Sequence, residues 1–313
     1  MIESSTGWGV SYRSMHCIAL LVVLGSLAGC PTSPPQVRPT IPKPVQMPTY
    51  QQVAESYNRN VLPIERLWAK ATVTIEFLDD KGKKKKETGE DSTLMIQLPD
   101  KLGLMIGKLG SIFVHAGCDE HRYWLFELIS EHQAYFGRHA LMNAQRMALP
   151  IRVSPTQLPM LMGLIPMPDV DDPAKQPKVF WHDGSFVVHP PKMNARFYLH
   201  PRTYQPLRIE VIDRKGNPKI IAIQLKPQRM QMHGVAESAR PFVPTHIDLS
   251  VPGDDWRLTM KLRHLTDANG PDDSRKDRAF RKAFDFEYLL KVHQVKPQNV
   301  DDLDGLSKPT ARR

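Results

Sequence analysis

The apolar positions at the start of the chain's folded part fall three and four residues apart. Val53, Tyr57, Val61, Ile64, Leu67 and Trp68 follow this spacing, which predicts one amphipathic helix with Pro63 placed to break or kink it. After Lys70 the period changes to two: Val73, Ile75 and Phe77 alternate with polar neighbours, the mark of a half-buried strand. Asp79-Asp-Lys-Gly-Lys reads as a turn, and a second strand returns through Leu94, Ile96 and Leu98 to Pro99. Further strands are predicted at Leu102–Ile106, Ile112–Ala116, Tyr123–Leu128 and Gln133–Phe136. Helical spacing comes back at Leu141–Ala148 and Thr156–Leu164, followed by a loop marked by Pro166, Pro168, Pro173 and Pro177. A second run of strands then extends from Val179 to Leu265, with a hairpin turn at Asp213-Arg-Lys-Gly-Asn.

This order of helix, strand meander, helix pair and strand meander contains no alternation of strand and helix. It predicts a mainly β chain (α+β) with about eleven strands in an antiparallel sheet. A sheet of that length curls or closes, and the apolar helix faces must be buried, most naturally inside the curl. The residues expected to point inward are Val73, Ile75, Phe77, Leu94, Ile96, Leu98, Leu104, Ile106, Trp124, Phe126, Leu207, Ile209, Val211, Leu249, Trp256, Leu258 and Met260. Two readings of them stay open: a packed core under the helices, or the lining of a cavity.

Composition narrows the class. Hydrophobic residues make up 41% and charged residues 24% of 313 residues, which excludes a polytopic helical membrane protein and disorder over most of the length. Three cysteines exclude a disulfide-stapled scaffold. The net charge of +9 fits anionic partners. Near the N-terminus an apolar run from Cys17 to Gly29 is too short to span a bilayer, but it suits the core of a signal peptide. It ends in Leu27-Ala-Gly-Cys30, which resembles a bacterial lipobox. That resemblance implies a signal peptide over residues 1–29 and a lipidated Cys30 as the mature N-terminus. Pro31 in place of an aspartate favours the outer membrane. Residues 30–49 carry seven prolines and read as an extended tether. The folded domain is expected over residues 50–296 and a disordered polar tail over 297–313.

Across residues 50–265 the pattern resembles the Lol superfamily, the periplasmic carrier and outer-membrane receptor of bacterial lipoproteins. The carrying segments are Ile64-Glu-Arg-Leu-Trp-Ala leading into a strand, Leu94-Met-Ile-Gln-Leu-Pro-Asp-Lys-Leu-Gly-Leu-Met-Ile, Gly107-Lys-Leu-Gly110, Arg122-Tyr-Trp-Leu-Phe, Tyr135-Phe-Gly137 and Tyr204-Gln-Pro-Leu-Arg-Ile-Glu. The resemblance implies an unclosed antiparallel half-barrel with helices covering the concave face, and an apolar cavity that accepts acyl chains of lipoproteins or lipids. Such chains have no polar handles, so affinity would come from apolar area, at about 0.8 kcal/mol per buried methylene. It also implies a protein at the periplasmic face of the outer membrane, lipid-anchored, with a periplasmic or outer-membrane protein as a further partner. The lysine-rich tip at 81–86, the 166–178 proline loop and the C-terminal extension depart from the pattern.

Other chemistry is sparse. Leu109, flanked by glycines between two strands, is either a hairpin residue packed on a neighbour or an apolar residue presented to a membrane or partner. Lys83, Lys84, Lys85 and Lys86 are either a solvated hairpin tip or a basic surface for anionic headgroups. His115, Cys118 and His121 have a spacing that zinc ligands use, but strand alternation need not bring them together. No nucleophile elbow, metalloprotease motif, phosphate loop or carboxylate pair appears, so no enzyme, cofactor or metal is expected. Export disfavours nucleic acid. The leading expectation is a lipid-anchored binding protein for acyl chains. The competing class is a structural or assembly lipoprotein that uses the same fold as a protein-docking surface.

Overall fold

The computed structural model describes residues 42–79, 81–129, 132–139, 153–270 and 273–299. The expected signal peptide, Cys30, the tether up to residue 41, the helix expected over 141–148 and the tail from residue 300 lie outside the described residues. The described chain opens with helix α1 (Tyr50–Val61). Thr49 caps it: its hydroxyl accepts from the Gln52 N–H at 3.3 Å, and the Gln52 side chain accepts from the Thr49 N–H at 2.9 Å. This capping box satisfies two donors the first turn leaves without partners. The helix ends ahead of Pro63, and strand begins at Arg66. Leu67 and Trp68, which extend the helical spacing, are therefore strand residues.

Six strands follow as a meander: β1 (Arg66–Leu78), β2 (Lys84–Gln97), β3 (Lys101–Lys108), β4 (Ser111–Cys118), β5 (Arg122–Glu127) and β6 (Gln133–Arg138). A second meander contains β7 (Phe180–His182), β8 (Ser185–Val188), β9 (Ala195–Leu199), β10 (Pro206–Ile212), β11 (Pro218–Arg229), β12 (Phe242–Ser250) and β13 (Arg257–Thr266). The two meet in the middle of one sheet, where β13 pairs antiparallel with β1 and Met260 lies opposite Val73. A last strand, β14 (Lys296–Asn299), lies parallel beside β6. Among the described residues the sheet thus has fourteen strands against the expected eleven or so, with β14 at one edge and β7 at the other. These edges do not pair with each other, so the sheet is an unclosed, almost wholly antiparallel half-barrel.

One face of this sheet holds the main core. Leu67, Ala69, Ala71, Val73 and Ile75 alternate inward along β1 and are fully or almost fully buried. Residues from strands as distant as β5 and β8 join the same cluster as α1, which requires the sheet to curl around the helix. The connection between the meanders must travel from the β6 edge to the β7 edge, and its described part, from Val153, lies on the concave side. Pro155–Gln157 forms a 3-10 turn that touches β3 and β4, and the single helical turn α2 (Leu158–Leu161) touches β10. Leu158, Leu161, Met162, Leu164 and Met167 of this crossover are buried in the main core.

The crossover is tied to α1 by polar side chains. Asn58 donates to the Met167 carbonyl and accepts from the Met167 N–H, both at 2.8 Å. Tyr50 donates to the Pro168 carbonyl at 2.7 Å and Tyr57 to the Ile165 carbonyl at 3.1 Å. Burial, and then the charge of Asp169, push the Tyr50 hydroxyl up to about 12; burial alone raises Tyr57 further. Both tyrosines are therefore neutral donors at any physiological pH.

The convex side carries a second layer that the sequence reading leaves out. Helices α3 (Ser274–Ala283) and α4 (Phe286–His293) pack on it, burying Phe280, Ala283, Phe286 and Leu289. Gly103 makes room for this, since a Cβ there would lie 3.2 Å from the Ala283 Cβ. Arg66 fixes α3 by pairing with Asp277 at 3.0 Å and lying 4.2 Å over the Phe280 ring. Ordered structure therefore reaches Asn299, past the boundary expected at 296.

Candidate functional site

The concave face collects most of the residues expected there. Val73, Ile75, Leu94, Ile96, Leu104, Ile106, Ile209, Val211, Leu249, Trp256, Leu258 and Met260 all belong to the main core, and Phe77 and Leu98 pack against its rim. Trp124 and Phe126 do not. The ladder sets Tyr123 opposite Cys118 and Leu125 opposite Ala116, which turns Tyr123 and Leu125 inward. Trp124 and Phe126 consequently point to the convex side, against Phe286 and Leu289 of α4. Because this strand is covered on both faces it has no polar alternation, and periodicity cannot choose a side.

Most of the concave space is filled by α1 and the crossover. At the C-terminal end of α1 a cavity of about 300 Å³ remains, at the lower end of the range for small-ligand sites. Met162, Pro206, Leu207, Pro227, Phe242 and Pro244 supply its apolar wall. Of the residues expected to line a cavity, Leu207 alone lines this one, and it is 37% exposed; Phe77 and Trp256 line a second, more polar pocket of about 400 Å³ beside Lys84, Lys85 and Lys86. Gly163 is required at the inner wall: its φ is +72°, and a Cβ would lie 2.6 Å from Pro206. Asn60 closes the α1 side by accepting from the Phe242 N–H at 2.7 Å and donating to the Phe242 carbonyl at 2.9 Å. Gln224 is the polar residue in the depth of the wall. It follows Ile220 and Ala222 on the inward face of β11, and its Nε2 donates to the Leu161 carbonyl at 2.6 Å. The sequence offers a faint sign of this place, since Pro227 lies opposite Pro244 in the ladder and neither can donate to it.

Leu109 sits at the tip of the β3–β4 hairpin, 87% exposed, with φ of +52° followed by Gly110 at +79°. An apolar side chain at positive φ and in water is unfavourable on both counts. Ile112 beside it is also exposed. The lysine tip at the β1–β2 hairpin is largely neutralised: Lys84 pairs with Asp255 at 2.9 Å, Lys85 with Asp79 at 3.7 Å and Lys86 with Glu76 at 3.0 Å.

His115 and Cys118 face opposite sides of the sheet, since they are an odd number of residues apart on β4. His115 lies under α4, whereas Cys118 is in the main core, where burial pushes its thiol up to about 12. Among the described residues no group of three His, Cys, Asp or Glu side chains is arranged to hold a metal ion. No described helix is long and apolar enough to cross a membrane.

No protein-family model matches the sequence, and no curated relative does. Solved structures with a similar course of chain include a LolA superfamily protein from Nitrosomonas europaea, with 11% identity over 72% of this chain and 96% of that chain and a TM-score of 0.42. An outer membrane lipoprotein-sorting protein domain from Vibrio parahaemolyticus has 11% identity over 74% and 98%, with a TM-score of 0.43. A DUF1329 family protein from Desulfovibrio piger has 12% identity over 73% and 97%, with a TM-score of 0.38. A single unclosed, almost wholly antiparallel sheet, curled around one helix and a crossover held in its concave face, is the half-barrel arrangement expected from the sequence.

Proposed function

We propose that the protein binds acyl chains of lipoproteins or lipids at the concave face, without covalent chemistry, while anchored to the periplasmic face of the outer membrane through a lipidated Cys30. The observation that carries this reading is the apolar-walled cavity of about 300 Å³ at the end of α1, roofed by a crossover held to the helix by a handful of hydrogen bonds. A longer chain would need more room than the cavity has, and displacing the crossover would supply it. Leu109 would present an apolar contact to the membrane or an incoming lipoprotein, which accounts for its exposure and its unfavourable backbone.

The test is a titration of residues 42–299 with a fluorescent fatty acid. Saturable binding is expected, with at least tenfold weaker affinity in Leu207→Asp, which sets a charge in the wall without opening a packed core. Leu109→Glu should leave this binding unchanged and slow transfer to lipid vesicles. A wild-type titration with no saturation overturns the binding reading and leaves the docking-surface class in its place.

A further inference from the structure

The convex face gathers charge of one sign at one place. In the β1–β13 ladder Lys70 stands directly opposite Arg263, and both are exposed. Their neighbours Ala69, Ala71 and Leu262 are buried, so both side chains leave the sheet on the convex side. Lys261, next on that face of β13, lies between Thr72 of β1 and His246 of β12. Like charges facing each other across a ladder destabilise it. Elsewhere this sheet answers its charges: the same ladder sets Glu76 opposite Arg257, and the β9–β10 ladder sets Arg196 opposite Glu210. Lys70 donates to the Thr93 hydroxyl at 3.3 Å, but among the described residues no carboxylate pairs with Lys70, Lys261 or Arg263.

Helix α3 extends the same surface. Trp68 joins the two, its ring centre lying 5.8 Å from the Lys70 ammonium and 5.1 Å from that of Lys276 on α3. Five of the ten residues of α3 are basic and one is acidic. The helix buries Phe280 and Ala283 against the sheet and leaves Arg275, Arg278, Arg281 and Lys282 exposed. Its acids are taken: Asp277 is shared by Arg66 and Arg281, and Asp273 at the cap pairs with Lys276. Arg275, Arg278 and Lys282 have no carboxylate partner among the described residues. Three unanswered cations on the sheet and three on the helix thus share the convex side.

A small anion is held where donors converge in a concavity. These cations are instead spread over two strands and a helix and are open to solvent, which matches a surface carrying many anions. We propose that this basic convex face docks on an anionic lipid surface. The proposal goes beyond the acyl-binding reading and takes from it the anchor alone, since a lipidated Cys30 would keep the domain beside such a surface. Each cation close to anionic lipid contributes about fivefold to affinity, equivalent to about 1 kcal/mol. The lysine tip contributes less, because Lys84, Lys85 and Lys86 each already face a carboxylate.

The experiment is cosedimentation of residues 30–313 carrying Cys30→Ser, so that no lipid anchor contributes. The vesicles are phosphatidylcholine alone, or phosphatidylcholine and phosphatidylglycerol in equal parts. Binding to the mixed vesicles alone is expected, weakening steeply with added salt because exposed charges are screened. Lys70→Gln combined with Arg263→Gln should weaken it about twentyfold, two charges at about fivefold each. The same pair should leave thermal stability unchanged or higher, because it removes a repulsion. Arg275→Gln combined with Arg278→Gln should weaken vesicle binding to a similar extent, and Lys84→Gln combined with Lys86→Gln should change it little. Equal binding to both kinds of vesicle overturns the proposal in favour of an apolar contact. Loss of binding in the lysine-tip variant alone also overturns it. Polyglutamate that competes as strongly as mixed vesicles would make the partner an acidic protein chain and overturn the lipid assignment. No binding to either vesicle overturns the proposal and leaves the acyl-binding reading standing, whereas a failed fatty-acid titration leaves this proposal untouched.

Discussion

His115 has no exposed surface, and its ring centre lies 5.9 Å from those of Phe126 and His293. Neither of its ring nitrogens has a hydrogen-bond partner. Burial first, and then the nearness of His293, hold its pKa down from the usual 6.5 to about 3. Between those two values the unfolded chain binds a proton at this ring and the folded chain does not. Stability therefore falls as the solution is acidified from pH 6.5 towards 3, by up to about 1.4 kcal/mol per pH unit for this one group, and is unaffected by it above 6.5. His115→Leu removes both the proton linkage and two unpaired polar atoms. Its gain over wild type in chemical denaturation should be larger at pH 5 than at pH 8. An equal gain at both would mean that the folded protein protonates the ring. Single residues of this kind were hard to read from sequence. His115 sits in an apolar strand and looks like a ligand by spacing, whereas Asn58 and Gln224 look like surface residues because their partners, Met167 and Leu161, are distant in sequence.

At the level of elements the convex layer has the most to answer for. Phe286 opens α4 and meets three rings at once, with centres at 5.7 Å to Trp124, 5.8 Å to Phe126 and 5.1 Å to Phe136. Phe286→Ala should cost about 3–5 kcal/mol in urea unfolding, the range for emptying a buried aromatic site. It should leave fatty-acid affinity unchanged, because the cavity is walled by other strands. A loss below about 1 kcal/mol would mean that the helix pair rests on the sheet without supporting it. These helices were illegible because Ser274–Ala283 is mostly charged and buries Phe280 and Ala283 alone. The strands were far more legible, since alternation inside a half-buried sheet is a direct imprint of burial. The exception was β5, where apolar residues in succession hid the choice of face.

For the whole molecule, antiparallel pairing and the curl followed from strand number and from helices that needed cover. What pattern could not supply was the strand order, because the seam between β1 and β13 joins segments about two hundred residues apart, and only the assembled sheet reveals it. That seam has a kinetic consequence. Each meander pairs neighbours along the chain and loses little entropy in doing so, whereas the seam must close a very long loop before any contact rewards it. The two halves should therefore form early and the seam late. Met260→Ala, at the seam, should then speed unfolding and leave the refolding rate nearly unchanged, and Leu104→Ala, within the first meander, should slow refolding. Stopped-flow chevrons of the two variants would separate these cases, and slowed refolding in Met260→Ala would place the seam in the transition state. A late seam also leaves a partly folded chain with two unpaired edges at the middle of its future sheet. A second copy of the chain could satisfy either edge as well as the rightful partner does. Yield on refolding should accordingly fall with protein concentration far more steeply than the stability of the finished fold would suggest.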